Sequence, residues 1–202
     1  MSTLVNTFAN IADNGSTATF QLPADVCDVD VYIADSPTYD SASITAQCSN
    51  DGGTTWVTQV GLSAITTGDG YIASFRAYGP ALKFLTASVA AAGADIDITV
   101  RATPVMSTAT HYNITANGNT PVVLNKAGPC FLYLNGTWDS ASVTLAHSPD
   151  GTLYVDSGLT AITADGGALF ANAAKDVLQR LVTASAAGVI TDLDVTVYQT
   201  DA

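Results

Sequence analysis

The stretch YDSASITAQCSNDG, residues 39–52, decides the fold because it returns as WDSASVTLAHSPDG at residues 138–151. Eight of the fourteen positions are identical, and Tyr/Trp and Ile/Val exchanges occur at two more. Further matches follow in the same order, LSAITTGDG at 62–70 with LTAITADGG at 159–167 and ADIDITVRAT at 94–103 with TDLDVTVYQT at 191–200. Because the matches stay collinear, we infer that a whole domain is repeated.

The period of this repeat, close to a hundred residues, indicates the kind of domain. Solenoid repeats are about 20–50 residues long, whereas about 100 residues make one complete small β-sandwich. We therefore predict an all-β chain of two tandem β-sandwich domains, jelly-roll-like or immunoglobulin-like, that arose by internal duplication. The first domain is expected at residues 1–104 and the second at residues 105–202, because Pro104 closes the last strand of the first copy.

Alternating apolar and polar residues predict the strands. In DVDVYI, residues 28–33, Val29, Val31 and Ile33 alternate with two aspartates and a tyrosine. A period of two is typical of a strand with one buried face and one wet face. The chain also lacks glutamate, a good helix former, and is rich in threonine, which fits a pleated sheet.

The segment at residues 171–187 has apolar residues at helical spacing and does not fit the strand pattern. Its counterpart in the first copy contains Gly79-Pro80, which would break a helix there. Because the two copies should share a fold, we expect a loop and a short turn that lead into strands at RLVTAS, residues 180–185, and KFLTAS, residues 83–88.

Charge and targeting signals limit the partners. The 202 residues include 18 acidic side chains against six lysines and arginines, which gives a net charge of −12. An acidic protein of this charge does not attract phosphate groups, so we expect neither nucleic-acid nor membrane binding. The N-terminal residues 1–10 lack the basic and apolar regions of a secretory signal, so export by that route is not expected.

The cysteines, Cys27, Cys48 and Cys130, form no CxxC pair and lie among strand-like apolar residues. Buried free thiols are therefore favoured over a disulfide or a metal site.

SNDGGTTW, residues 49–56, fits the Ser-x-Asp-x-Gly-x-Thr-Trp pattern called the Asp-box, which recurs in sialidases and other sugar-handling β-proteins. Its second-copy counterpart, SPDGTLYV at 148–155, keeps Ser148, Asp150 and Gly151 and lacks equivalents of Gly53 and Trp56. One full and one degenerate motif are too few for a propeller. We expect a turn-forming role, in which the carboxylate accepts backbone N–H bonds and the aromatic packs beneath the hairpin.

No pattern supports catalysis. The pairs Asp28/Asp30, Asp95/Asp97 and Asp192/Asp194 place carboxylates on one strand face, where Ca²⁺ is one possible ligand, but they are also the outward half of alternating strands. His147 aligns with Cys48, and His111 belongs to no zinc or triad pattern. We therefore predict no enzyme activity, no catalytic or metal residues, and no cofactor.

The order of these elements resembles the small β-sandwich modules of tailed-bacteriophage virion proteins. An alternating strand leads into SNDGGTTW, and ALKFLTAS at 81–88 and ADIDITV at 94–100 follow. The resemblance covers both copies, although the second lacks the equivalents of Gly53 and Trp56.

This resemblance implies a non-enzymatic virion structural protein, most simply a capsid decoration or cement protein that binds and stabilises the outer surface of a phage head. Its partners would be the major capsid protein or other virion proteins, and it would form a homo-oligomer, with a trimer favoured. It would be made in the host cytoplasm and reside on the capsid exterior.

Two alternatives stay open. The first is a receptor- or glycan-binding virion appendage, such as a head fibre, neck or tail component, whose candidate stacking residues are Tyr32, Tyr39, Trp56, Tyr71, Tyr78 and Trp138. The second is a bacterial adhesion or surface-layer module, which would need an export signal.

Overall fold

The computed structural model describes residues 3–11, 14–34, 42–59, 62–66, 70–88, 96–121, 123–124, 129–170, 178–185 and 192–200. All the regular secondary structure in these ranges is β-strand, so the all-β prediction is confirmed. Across the same ranges, nothing resembles a membrane-spanning helix.

The chain divides into two compact units, Met1–Val105 and Met106–Ala202. The last strand of the first unit ends at Pro104. The backbone N–H of Val105 then donates to the carbonyl of Val26 at 3.0 Å, which ties Val105 to the first unit. The boundary therefore falls one residue after the position expected from the sequence.

The first unit contains nine strands within its described residues, and they form two antiparallel sheets. The strands are β1 (Leu4–Ile11), β2 (Gly15–Ser16), β3 (Phe20–Gln21), β4 (Val26–Ala34), β5 (Ser43–Ser49), β6 (Val57–Thr58), β7 (Tyr71–Tyr78), β8 (Ala81–Ala87) and β9 (Ile96–Pro104). One sheet has the order β1-β9-β4-β7. The other has the order β2-β8-β5-β6, with β3 also paired to β8.

The second unit repeats this topology strand for strand. Its strands are β10 (Ser107–Ile114), β11 (Gly118–Asn119), β12 (Val123–Leu124), β13 (Cys130–Thr137), β14 (Ala141–Ser148), β15 (Val155–Asp156), β16 (Gly166–Phe170), β17 (Leu178–Ser185) and β18 (Asp192–Thr200). The sheet orders are β10-β18-β13-β16 and β11-β17-β14-β15, with β12 also paired to β17. Origin by internal duplication stays a prediction, and the shared topology is what that prediction requires.

The predicted alternation places the core of each unit between its two sheets. In β4, Val29, Val31 and Ile33 are buried while Asp28 and Asp30 are exposed. The same core contains Ile44 of the facing sheet. Burial of these side chains removes apolar surface from water, which is the main driving force for a sandwich of this size.

The segments with ambiguous periodicity are strands where the structure describes them. RLVTAS lies in β17, and all but the last residue of KFLTAS lies in β8. Leu181 and Thr183 are buried and Ala184 is exposed, which is a strand pattern. Residues 171–177, which carried part of the helical pattern, lie outside the described residues.

Candidate functional site

The Asp-box of the first unit is a closed hydrogen-bonded turn after β5. The Asp51 carboxylate accepts bonds from the Ser49 hydroxyl at 2.7 Å and from the backbone N–H groups of Thr54 and Thr55 at 3.0 and 2.9 Å. The Ser49 hydroxyl oxygen in turn accepts the N–H of Gly53 at 2.9 Å. Every one of these bonds is made within the turn, which is the structural role expected from the sequence.

The tryptophan of the motif is fixed from both sides. Its indole N–H donates to the Gly53 carbonyl at 2.8 Å, and the Lys83 ammonium lies 4.2 Å from the centre of the Trp56 ring. A cation over an aromatic face at this distance is a favourable contact. Lys83 therefore occupies one face of the Trp56 ring.

The second unit builds the same turn with fewer bonds. The Ser148 hydroxyl donates to the Asp150 carboxylate at 2.9 Å, and the N–H groups of Thr152 and Leu153 donate to it at 2.9 and 3.3 Å. Gly151 donates its N–H to the Ser148 oxygen at 2.9 Å. The three residues retained in the sequence are thus the ones that close the turn.

The structure corrects one statement about this second motif. Tyr154 takes the role of Trp56, because the Arg180 guanidinium lies 3.8 Å from the centre of the Tyr154 ring. Arg180 aligns with Lys83 in the repeat. Both copies therefore keep an aromatic–cation pair beside the turn, and the degenerate motif has exchanged the aromatic residue rather than lost it.

The hydrogen bonds also change the acidity of both turn carboxyls. Burial by itself raises the pKa of Asp51, but the bonds from Ser49, Thr55 and Thr54 outweigh it and hold the pKa below its ordinary value. The pKa of Asp150 is lowered as well, mainly by the backbone N–H of Thr152. A lowered pKa keeps these groups ionised, which suits a turn acceptor and not a general acid.

The Asp-x-Asp pairs are engaged by neighbouring side chains. Asp28 forms an ion pair with Arg76 at 2.9 Å, and Asp30 accepts the Ser74 hydroxyl at 2.7 Å. The amide nitrogen of Asn113 donates to both Asp192 and Asp194, at 2.7 and 3.1 Å.

Asp95 lies outside the described residues, so the pair Asp95/Asp97 is described only in part. Within the described ranges, no group of three or more His, Cys or acidic residues is placed to hold a metal ion.

The histidines and cysteines contact residues that suggest no catalytic arrangement. His111 shares a hydrogen bond of 2.9 Å with the Thr196 hydroxyl, and His147 stacks on Phe170 with ring centres 6.3 Å apart. The three cysteines are free and buried, as predicted. Burial raises the pKa of Cys48 and of Cys130 to about 12, so both stay protonated thiols.

Four of the six aromatic residues proposed for sugar stacking have described side chains, and each of the four lies in a different environment. Tyr78 is buried, and Trp138 packs against the core with its indole N–H on Asp165 at 2.7 Å. Trp56 is covered by Lys83. Tyr32 is open to solvent, with 43% of its surface exposed. Tyr39 and the side chain of Tyr71 lie outside the described part of the structure.

The outer face of the sheet β1-β9-β4-β7 is exposed to solvent in the first unit. Tyr32 and Ile72 are direct cross-strand neighbours on this face, and Ile72 is 63% exposed. Val5 lies on the same face beside Arg101 and is 59% exposed. Polar residues complete the surface; they are Thr7, Asp28, Asp30, Ser74, Arg76, Asp97, Thr99, Arg101 and Thr103. We call this surface the outer face.

The equivalent surface of the second unit is buried. The pair Asp30–Arg101 corresponds by register to Phe131–Tyr198, and the pair Tyr32–Thr99 corresponds to Tyr133–Thr196. None of these four residues of the second unit is more than 4% exposed. The two copies thus share a backbone and differ in whether this sheet face meets solvent.

Sequence reasoning missed two sets of contacts between residues far apart in the chain. Gln59 accepts a bond from the Cys48 thiol at 3.2 Å and donates to the Arg76 carbonyl at 2.7 Å, so it links the two sheets of the first unit. The aromatic–cation pairs were also missed. The repeat held a signal for the latter, because Lys83 aligns with Arg180 just as Trp56 aligns with Tyr154.

The comparisons with known proteins give distant structural likenesses. No family model and no curated protein matches the chain. The chain is similar to the PBSX exported protein XepA over 99% of this chain and 86% of that one, with a TM-score of 0.32 and 9% identity.

Two further likenesses are of the same weak grade. A chain from the triple jelly roll and turret assembly of an archaeal virus has a TM-score of 0.27 and 11% identity over 96% of this chain and 58% of that one. A tandem CBM22 domain from Paenibacillus barcinonensis has a TM-score of 0.29 and 13% identity over 99% and 87%. At such low values, these likenesses do not indicate what this chain binds.

Proposed function

We propose that this chain is a non-enzymatic virion structural protein that binds the outer surface of a phage head and stabilises it. The observation that carries the proposal is the outer face, which offers a flat, partly apolar surface for a protein partner. The proposal assigns the chain to the capsid exterior, with the major capsid protein as its partner and a homo-oligomer, favoured as a trimer, as its working form.

The composition of the outer face suits contact with another protein. Tyr32 and Ile72 form an adjoining apolar pair, and polar and charged residues surround it. Protein interfaces combine an apolar centre with a polar rim, and tyrosine is enriched among the residues that dominate binding energy. A small-molecule site is usually concave, whereas a sheet face is broad and shallow, so a protein surface is the better match.

The charges on this face support contact despite the acidity of the whole chain. Asp28 is neutralised by Arg76 within the face, and Arg101 is the cross-strand neighbour of Asp30. Asp97 of β9 adds one further carboxylate, so the face carries one acidic side chain in excess, whereas the whole chain carries −12. A near-neutral patch on an acidic protein reduces the repulsion that would otherwise oppose assembly of many copies on one shell.

The outer face of the first unit and the equivalent sheet face of the second unit differ in burial. In the second unit the equivalent positions are aromatic and buried, as Phe131 and Tyr198 show, while in the first unit they are polar and open. Because this surface meets solvent only in the first unit, that copy is the one available to a partner. We assign the open copy of the same surface to the capsid.

The test measures binding to particles that lack the protein. Purified heads made without this chain are mixed with the wild-type protein, and bound protein is quantified after sedimentation. We expect saturable binding and a higher temperature of head disruption. Tyr32→Asp, which puts a charge in the apolar pair, should weaken binding at least about tenfold, the effect of losing one interface anchor.

The matched control is Leu85→Asp on the other sheet of the same unit. Leu85 is 40% exposed, nearly the same as Tyr32, and it projects from β8 away from the core. This variant should bind heads like the wild type. Equal loss in both variants would remove the outer face from the proposal, and failure of the wild-type chain to bind heads would refute the capsid function.

A further inference from the structure

We propose that a pocket in the second unit, formed by residues 112–121 and Thr183, binds a single neutral sugar residue of a glycan. The pocket has a volume of about 260 Å³ and lies under the connection between β10 and β11. Neither the decoration function nor the aromatic residues singled out in the sequence include it. Its floor is the half-buried ring of Tyr112, which packs against the core of the unit.

In the first unit, phenyl rings pack against Phe8, the residue that corresponds by register to Tyr112. Phe8 contacts Phe20 edge-on with ring centres 6.5 Å apart, and it contacts Phe84 in the same way at 6.0 Å. Three aromatic side chains thus close the corner of that sandwich, as expected for a well-packed core.

The second unit places different residues at these three positions. By register, Tyr112 corresponds to Phe8, Val123 to Phe20 and Leu181 to Phe84. The sequence of the second unit therefore carries smaller aliphatic residues at two positions that are phenylalanine in the first unit.

The lining chemistry matches a sugar. Asn117 and Asn119 are exposed, and each amide carries both hydrogen-bond donors and acceptors, the complement of neighbouring sugar hydroxyls. Thr115 adds a hydroxyl. An aromatic ring such as that of Tyr112 supplies an apolar surface for the C–H groups of a pyranose.

The polar lining is also held in place. The N–H of Thr120 donates to the carbonyl of Leu181, and the Thr120 hydroxyl oxygen accepts the N–H of Leu181, both at 3.0 Å. Asn113 is fixed by its bonds to Asp192 and Asp194. A pre-formed lining lowers the ordering cost of binding.

Charge and size narrow the ligand class. All the lining residues are neutral, and Asp192 and Asp194 lie next to the pocket through Asn113. An anionic sugar such as sialic acid would meet these carboxylates, and the described residues that line the pocket include no cation, so a neutral sugar is the better fit. The volume lies below the range of drug-sized pockets, which suits one ring with an affinity of about 1 mM.

The experiment follows backbone amide resonances of the full ¹⁵N-labelled chain. Glucose, galactose, mannose, fucose and N-acetylglucosamine are titrated separately, with N-acetylneuraminic acid as the anionic comparison. We expect at least one neutral sugar to shift resonances of residues 112–120 saturably in the millimolar range, and we expect no saturable shift with N-acetylneuraminic acid.

Asn119→Ala tests the residues of the pocket, and Ser16→Ala is the matched control. Ser16 pairs with Leu85 in the first unit as Asn119 pairs with Val182 in the second, and both side chains are exposed, so neither substitution should disturb folding. Asn119→Ala should weaken sugar binding at least about fivefold, whereas Ser16→Ala should leave it unchanged.

The proposal is overturned if no neutral sugar shifts these resonances at roughly 100 mM, well above the expected dissociation constant. It is equally overturned if the shifts map outside the pocket, if Asn119→Ala binds like the wild type, or if N-acetylneuraminic acid binds as well as the neutral sugars. These outcomes are distinct from those of the head-binding test, which depends on Tyr32 in the first unit.

Discussion

Replacement of Asp51 by alanine should destabilise the first unit without unfolding the second. The Asp51 carboxylate is the acceptor for the Ser49 hydroxyl and for the N–H groups of Thr54 and Thr55. Alanine leaves all three donors without this acceptor. The turn that joins β5 to β6 then loses the group that closes it.

The magnitude follows from the number of bonds and their exposure. A hydrogen bond to a charged group contributes about 1.5–3 kcal/mol when it is shielded from water. The turn lies at the surface, so water replaces part of each lost bond. We therefore expect a total loss of about 1–2 kcal/mol, which lowers the melting temperature of a domain of this size by about 5–10 °C.

The effect should depend on pH in one direction. The bonds hold the folded pKa of Asp51 below its ordinary value of 3.8 despite the opposing effect of burial. A depressed pKa contributes stability that is fully present above the unfolded value and is lost as the pH falls through the folded value. The stability difference between wild type and Asp51→Ala should therefore be constant near pH 7 and shrink below about pH 4.

The two tryptophans allow each unit to be followed separately. Trp56 lies in the first unit and Trp138 in the second, so urea unfolding can be monitored through their two indole N–H resonances. Asp51→Ala should lower the midpoint for Trp56 and leave that for Trp138 unchanged. The matched variant Asp150→Ala should lower the midpoint for Trp138 instead.

An unchanged midpoint for Trp56 in Asp51→Ala would refute the reasoning, because the three bonds would then contribute nothing to folding. A stability difference that grows as the pH falls below 4 would contradict the assigned direction of the pKa shift. A loss confined to Trp138 would show that the bonds of the turn do not act within their own unit.

Two further predictions concern the glycine between β7 and β8 of the first unit and the buried thiols of both units. Gly79→Ala should destabilise the first unit by at least about 2 kcal/mol in urea titrations, because the φ of Gly79 is 115° and an added Cβ would lie 2.6 Å from the Ser49 carbonyl oxygen. The control Gly70→Ala, at a glycine with φ of 76° and open space around it, should cost only about 1 kcal/mol. Equal losses in the two variants would contradict the steric argument. Burial raises the pKa of Cys48 and of Cys130 to about 12, so both thiols should react with a disulfide reagent at pH 8 only after unfolding. Rapid reaction of the native protein would show that the thiols are accessible.

Several parts of the fold followed from local pattern. The alternation in β4 identified Val29, Val31 and Ile33 as buried, because side chains of a strand point to opposite faces in turn. The serine, aspartate and glycine of each Asp-box identified the turns, because their bonds span only a few residues. The ambiguous segment that includes RLVTAS was interpreted correctly only through comparison of the copies, since Pro80 excluded a helix in one of them.

The candidate sites depended on residues that no local pattern brings together. The outer face joins Val5, Tyr32 and Ile72 from three strands, and the order of strands in the sheet sets which of them are neighbours. The pocket brings Thr183 of β17 next to the chain segment that begins at Tyr112 of β10. Both features depend on pairing between strands that are distant in the chain.

The amino-acid sequence by itself therefore determined the all-β class, the repeat and the hydrogen-bonded turns, since each rests on the period of a strand or on contacts within a few residues. Only the tertiary structure decided that one copy of the sheet face is open at Tyr32 while the other is buried at Tyr133. It also decided that Tyr154 replaces Trp56 beside a cation, and that a pocket lies next to Tyr112. The physical reason is that burial and packing depend on which side chains from distant parts of the chain come into contact. Two copies with the same strand topology can therefore differ in burial and in packing.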